Sequence, residues 1–222
     1  MQNLTLPTTE DRELHSIRRG LLNGCDIYLS KKERFPVRSG FYERELRTPF
    51  ATLAADCRIF VDVEAGQGFL SAYVLRHTRA RVFAFESNPE LGGILLRNLG
   101  CNTDDPGRVS FYGETNPSDI TLDRLVGGEE GPVLLKIDVS LGTEAAILEG
   151  ASGLLDREDT RVVMRLSDHA SEVRAMGLLD EYGFNVNLVA PAWWRPVLPY
   201  ASFDAESVWL VAEKAPFEIL AD

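Results

Sequence analysis

The spacing of apolar positions changes near residue 58. Before it, residues 1–50 carry helical stretches punctuated by Pro7, Pro36, Gly40 and Pro49, without sustained alternation of apolar and polar positions. This segment is expected to be a helical extension or lid. Beyond it, short β-branched runs alternate with helical segments, as in a parallel sheet covered on both faces. The first strand reads Arg58-Ile-Phe-Val-Asp-Val-Glu64 and enters the turn Ala65-Gly-Gln-Gly68 before a helix through Tyr73 and Leu75. A second, Arg81-Val-Phe-Ala-Phe-Glu86, precedes a helix that opens at Ser87-Asn-Pro-Glu90, where a capping residue stands before proline, and that reaches Asn98.

Further strands are expected over residues 109–112, over 133–139 after the Gly-Pro pair 131–132, and over 161–166. Ala146, Ile147, Ala151 and Leu154 share a face of a helix over residues 143–155. After a helix ending near Tyr182, two extended runs, 184–189 and 206–213, follow one another with no helical pattern between them. Adjacent strands joined in that way pair antiparallel. The fold class is therefore α/β: a Rossmann-like seven-stranded sheet, mostly parallel with a C-terminal antiparallel hairpin, plus an N-terminal helical extension. Residues 1–50 form the extension and 51–222 the ligand-binding domain.

Composition narrows the function classes. Hydrophobic residues make up 45% of the 222 and charged ones 26%, which suits a folded globular chain rather than a disordered one. No apolar run approaches the roughly 20 residues of a membrane helix, and Glu10, Asp11 and Glu13 stand where a secretory signal would be apolar. The expected setting is cytoplasmic, without a membrane partner. A net charge of −11 argues against nucleic acid, which demands clustered positive charge. Arg18, Arg19, Lys31, Lys32 and Arg34 are a local basic exception, read as solvated surface. Cys25, Cys57 and Cys101 are odd in number and lack metal-ligand spacing, so they are read as free thiols.

The candidate chemistry gathers around the first two strands. Gly66 and Gly68 lack Cβ atoms, which allows close backbone approach to a ligand and positive φ. Strand, glycine turn and helix stand in the order of a nucleotide-type site. Glu86, ending the second strand, can accept hydrogen bonds from both hydroxyls of a ribose. Asp62 can order the loop or meet an ammonium group. Each feature by itself also fits a plain turn or an exposed strand end.

The stretches Val61-Asp-Val-Glu-Ala-Gly-Gln-Gly68 and Phe83-Ala-Phe-Glu-Ser-Asn-Pro89, with Asn98 at the helix end, resemble the FkbM methyltransferases, whose pattern is VDVGAxxG followed by AFEPNP. Thr121-Leu-Asp-Arg-Leu125 resembles the family's TLD segment. Leu135-Lys-Ile-Asp-Val139 with Gly142, Glu144, Leu148, Gly150 and Ala151 resembles its KIDVEGAE-x-x-VLxGA block, and Gly40-Phe-Tyr-Glu43 is similar to an upstream glycine and glutamate element. The resemblance spans about residues 40–190. It implies S-adenosylmethionine as cofactor, held by Asp62, Glu64, Ala65, Gly66, Gly68, Glu86, Ser87 and Asn88, and a hydroxyl of a sugar or natural product as methyl acceptor. Lys136 and Asp138, on one face of the fourth strand by alternation, are the catalytic candidates; a structural ion pair is the alternative.

This chain departs from the family pattern in several places. Glu64 replaces the first glycine, Ser87 a proline, Ser140-Leu141 adds a residue, and Arg165 stands where many relatives carry glutamate. No metal is assigned. Asp138, Asp168 and His169 offer a ligand set at neighbouring strand ends, but Ser167-Asp-His169 equally suits a helix N-cap. Trp193, Trp194, Tyr200 and Phe203 line either an acceptor pocket or a packed loop. A catalytically silent relative of such enzymes and an NAD-type dehydrogenase are the competing readings. The dehydrogenase fits worse, because Ser71 replaces the third fingerprint glycine.

Overall fold

The computed structural model describes residues 12–113, 121–126, 128–139, 143–166, 169–191 and 208–214. Its first elements correct an expectation. Residues expected to be helical begin as an antiparallel hairpin of β1 (Glu13–Ser16) and β2 (Asp26–Leu29), joined through a turn bearing Gly20 and Gly24 at positive φ. Only then come α1 (Lys31–Arg38), a short 3-10 turn at Arg44–Leu46 and α2 (Arg47–Ala54). The hairpin escaped the pattern because its strands are four residues long and β1 is largely exposed, leaving no period to read. A distant helix fastens it. Asn98 and Asn102, one turn apart on α4 (Pro89–Gly100) and at its C-terminal end, accept the backbone N–H groups of Tyr28 and Asp26 at 2.8 and 3.0 Å.

Ile59-Phe-Val-Asp-Val63 is buried at every position, as a strand covered on both faces must be. It forms β3 (Ile59–Val63), an interior strand of a seven-stranded sheet with β4 (Arg81–Glu86), β5 (Val109–Gly113), β6 (Val133–Ile137), β7 (Thr160–Leu166), β8 (Asn185–Val189) and β9 (Val208–Glu213), in the order β5-β4-β3-β6-β7-β9-β8. The pairs from β5 through β7 are parallel, and β9 runs antiparallel to both neighbours. The expected mostly parallel sheet with its C-terminal antiparallel hairpin is thus present. From β3 the chain proceeds outward through β4 and β5, then returns to the other side of β3 as β6. The crevice at this reversal, beyond the carboxyl ends of β3 and β6, is where open α/β sheets bind ligands.

Strand alternation divides the core in two. Phe60, Ala84, Leu134, Val163 and Val211 face one way and pack with α2, α3 (Phe69–His77), α4 and the N-terminal residues Ile17, Leu22 and Leu46. Ile59, Val61, Phe85, Leu135 and Met164 face the other, under α5 (Leu122–Val126), α6 (Glu144–Glu149), α7 (Ser152–Asp156) and α8 (His169–Glu181). Residues 17–54 therefore share the apolar core of the sheet. The helix expected over 143–155 is two: the Asp123 carboxylate accepts the N–H groups of Gly153 at 2.7 Å and Leu154 at 2.9 Å, starting α7 afresh after Gly150-Ala151. Among the described residues no helix is long and apolar enough to cross a membrane.

Asn98 is fully buried and joins three segments. Its side chain accepts from the N–H of Tyr28 and donates to the carbonyl of Gln67 at 2.8 Å, tying the hairpin to the glycine turn. Asn98→Ala leaves both backbone groups without that partner, and is expected to cost about 2 kcal/mol in urea denaturation. Amide exchange should rise first at Tyr28. An unchanged midpoint would mean that the hairpin does not depend on this tie.

Candidate functional site

Asp62, Lys136 and Glu86 occupy the same face of the sheet as Phe60, Leu134 and Ala84, because they lie two residues further along their strands. Asp62 pairs in register with Lys136, and Arg165 with Trp209. The side covered by the N-terminal segment thus carries apolar residues at its lower level and ionisable ones at the carboxyl end.

Asp62 is fully buried. One carboxylate oxygen accepts from Ser71 Oγ at 2.6 Å, and the other lies 2.9 Å from Lys136 Nζ. Lys136 Nζ also donates to the Glu64 carbonyl at 2.7 Å. The chain turns sharply at this anchor: Glu64, Gly66 and Gly68 all have left-handed φ, of 51°, 59° and 74°. A Cβ on Gly66 would meet open space, whereas one on Gly68 would come within 3.0 Å of Leu95. Gly66 therefore serves clearance on the ligand side, and Gly68 serves packing against α4. Glu64 bears a side chain where L-residues pay about 1–2 kcal/mol.

The second strand holds the turn from the other side. The Glu86 carboxylate accepts the N–H groups of Gly66 at 2.6 Å and Asn88 at 2.7 Å, and the Glu64 carboxylate accepts that of Ser87 at 3.3 Å. Burial raises the Glu86 pKa; the Asn88 N–H works against this, and the nearby Glu64 charge adds to it. The Asn88 side chain caps α4 by accepting from Glu90 N at 2.9 Å.

A cleft of 270 Å³ opens above this turn. The N-terminal segment roofs it through Glu33, Val37, Tyr42 and Glu43. Glu33 receives Gln67 Nε2 at 2.5 Å and Arg12 Nη1 at 2.7 Å. Burial by itself would raise the Glu33 carboxyl, but hydrogen bonds from Gln67 and Ser30 and the Arg12 charge hold it below its ordinary value. At the far wall Arg165 stacks on Trp209, 4.6 Å from its ring centre, with Nη2 2.8 Å from Glu43 and Nε 2.8 Å from Asp138. Trp209 Nε1 donates to the other Glu43 oxygen at 2.6 Å. Burial opposes the Arg165 charge, yet Glu43 and Asp138 raise its pKa above the ordinary guanidinium value.

Of the residues singled out by sequence, Glu64, Ala65, Gly66, Lys136 and Asp138 line the cleft together. Asp62, Gly68, Glu86, Ser87 and Asn88 stand around the turn without lining that cavity; Asp62 and Glu86 are buried supports of its backbone. Lys136 lies 3.8 Å from Asp138, so alternation placed them on one face correctly, but its closer partner is Asp62. Asp168, Trp193, Trp194, Tyr200 and Phe203 lie outside the described residues; His169 is exposed, with Nδ1 3.4 Å from Glu172. Sequence reasoning gave no role to Glu33, Gln67 or Trp209, and named Glu43 and Arg165 only as motif positions. A glutamate three residues after Gly40 and an arginine inside an otherwise apolar run were the available signals, and only the fold joins them.

The sheet order, its antiparallel end and the cleft at the reversal define the fold of Rossmann-like methyltransferases. Solved structures of that kind are similar to this chain: a precorrin-6y C5,15-methyltransferase from Geobacter metallireducens (TM-score 0.54, 18% identity, covering 78% of this chain and 89% of that one) and an rRNA methylase from Streptococcus thermophilus (0.54, 19%, 78% and 98%). A Pyrococcus abyssi tRNA (uracil-54, C5)-methyltransferase, in complex with S-adenosyl-L-homocysteine, matches at TM-score 0.58 and 15% identity over 91% of this chain and 44% of its own. No family model matches the sequence, and no curated protein matches it.

The Asp62–Lys136 pair makes a stability prediction. Lys136→Met leaves a buried carboxylate with only Ser71, and is expected to cost about 3–5 kcal/mol by chemical denaturation, whereas adding Asp62→Leu should recover most of the loss. If the double variant is as unstable as the single one, Lys136 acts through the Glu64 carbonyl rather than through Asp62.

Proposed function

We propose that this chain is an S-adenosylmethionine-dependent O-methyltransferase of the FkbM kind, acting on a hydroxyl of a small molecule such as a sugar or natural product. The observation that carries the reading is the turn of residues 64–68. Its backbone is gripped from below by Lys136 and from the side by Glu86, and Gly66 is open towards the cleft. The FkbM-like blocks at residues 61–68, 83–89 and 135–139 converge on this one place. The S-adenosyl-L-homocysteine bound by the Pyrococcus abyssi neighbour supports the choice of cofactor. In this reading residues 51–222 form the cofactor-binding domain and residues 1–50 its roof.

S-adenosylmethionine supplies an electrophilic methyl group on a sulfonium. Glu86 is 2% exposed and stands behind the turn rather than in the cleft wall, but each of its oxygens takes only one backbone N–H and retains acceptor capacity, which a ribose diol seated at the edge of the turn would use. Gly66 gives the ligand its clearance, while Asp62 and Lys136 fix the turn that presents it. Asp138 lines the cleft with its carboxylate partly exposed and held by Arg165, where it would accept a hydrogen bond from the acceptor hydroxyl and take up its proton. Arg165 and Lys136 keep that carboxylate oriented.

Methylases of rRNA and tRNA are among the structural neighbours. A small acceptor is favoured instead by the cleft's charge: Glu33, Glu43, Glu64 and Asp138 outnumber Lys136 and Arg165 around it, which repels a phosphate backbone. One observation favours the alternative of a catalytically silent binding module: Glu64 places a side chain at a left-handed position of the turn.

Calorimetry with S-adenosylmethionine tests the cofactor site. Glu86→Gln keeps the shape of the side chain but removes the charge, and is expected to weaken binding by about 1.5–3 kcal/mol. Unchanged affinity in the folded variant would remove Glu86 from the site.

Glu64→Gly relieves the left-handed backbone and removes a charge that raises Glu86. Cofactor binding should tighten or turnover rise. Ribose recognition needs ionised Glu86, so affinity should fall as pH is lowered towards and through the raised Glu86 pKa, above 4.5. In Glu64→Gly the same fall should occur at lower pH. Binding at least about tenfold weaker in this variant would make Glu64 a recruited ligand of the cofactor.

A further inference from the structure

Behind the roof of the cleft lies a second cavity, of 400 Å³, whose walls carry Arg18, Arg19, Arg44 and Arg47 and no acidic residue. Its floor is Gly20 against Gly40. Both have left-handed φ, and a Cβ on Gly20 would stand 2.5 Å from Gly40 Cα, so the backbones meet where only glycine fits. Arg18 and Arg19 come from the hairpin turn; Arg44 and Arg47 come from the 3-10 turn and the start of α2. All four are exposed, and none forms an ion pair with a described residue. Arg12, Arg34, Arg81, Arg157, Arg161 and Arg165 each have a carboxylate partner; other described arginines, such as Arg124 and Arg174, have none either, so what sets these four apart is their gathering around one concavity. In a chain with 34 acidic and 23 basic residues, four such arginines around one concavity are a local reversal of sign.

We propose that this cavity is a binding site for a compact phosphorylated ligand of the diphosphate type. Guanidinium groups match phosphate oxygens in paired, charge-assisted hydrogen bonds, and two arginines on each wall suit two adjacent phosphates. The volume falls within the range of small-molecule sites. A long polyanion is disfavoured, because beyond this patch it would face a protein of net charge −11. The site does not depend on the reading of the methyl-transfer cleft. The two are back to back, however: the segment that gives Arg44 to this cavity gives Tyr42 and Glu43 to the other.

Isothermal titration of the full chain with inorganic pyrophosphate, inorganic phosphate and a short single-stranded oligonucleotide tests the assignment. Pyrophosphate should bind with one-to-one stoichiometry and more tightly than either of the others. Arg19→Gln/Arg47→Gln should weaken it by about tenfold or more, with an unliganded melting curve like that of the wild type. Arg124→Gln/Arg174→Gln, which removes two exposed arginines elsewhere, should leave it unchanged. Absence of saturable binding, equal loss in both double variants, or tighter binding of the oligonucleotide would each overturn the proposal.

Discussion

The ion pair between Asp62 and Lys136, sealed between the central strands, is the constraint on which the rest of the site depends. A carboxylate with no exposed surface is costly unless it is paired, and here Ser71 Oγ donates to one oxygen while the Lys136 charge stands 2.9 Å from the other, which has no hydrogen bond of its own. Lys136 has donors left over and uses one on the Glu64 carbonyl, just where the chain leaves the sheet. The pair therefore fixes the direction in which the turn departs as well as joining β3 to β6. Because both residues sit at the same register level, the anchor lies at the reversal point of the strand order.

From that anchor the turn is held in an uncommon shape by acceptors rather than by apolar packing. Its left-handed positions at 64, 66 and 68 turn the chain so that the N–H groups of Ala65 and Gly66 donate to β4, at the Phe85 carbonyl and the Glu86 carboxylate, while that of Gly68 closes the turn on the Ala65 carbonyl. Tolerance of glutamate at position 64 follows from the same surroundings, since its carboxylate meets the Ser87 N–H. The two carboxylates are close enough for one to raise the pKa of the other. Backbone shape, charge and the acid–base state of the cleft are consequently one property of this turn.

The N-terminal segment completes the site from the opposite side. Glu43, 1% exposed, receives Arg165 and Trp209 from the two strands whose antiparallel register sets those residues side by side. Glu33 receives Gln67 and Arg12 over the turn. Both are charge-assisted contacts in surroundings partly withdrawn from water, where such bonds are stronger than on an open surface. They make the roof part of the same folding unit as the sheet, in keeping with the apolar core that the two share.

The sequence by itself determined the seven strands, their mostly parallel arrangement, the closing antiparallel pair and the position of the glycine turn. Those are local properties: apolar period, β-branched runs and glycine placement are written in neighbouring residues. The hairpin at 13–29 was not legible, because its strands are too short for a period and Asn98 and Asn102 hold it from some 70 positions away. Residues 143–155 read as one helix because the carboxylate that divides them, Asp123, belongs to another element. Glu86 and Lys136 were legible as candidates, but not that Glu86 supports the turn's backbone or that Lys136 takes Asp62 as its nearest partner. Only the tertiary structure decided those pairings, and with them the meeting of Glu43, Arg165 and Trp209, since hydrogen bonding and ion pairing depend on distances that strand order and register set between residues far apart in the chain.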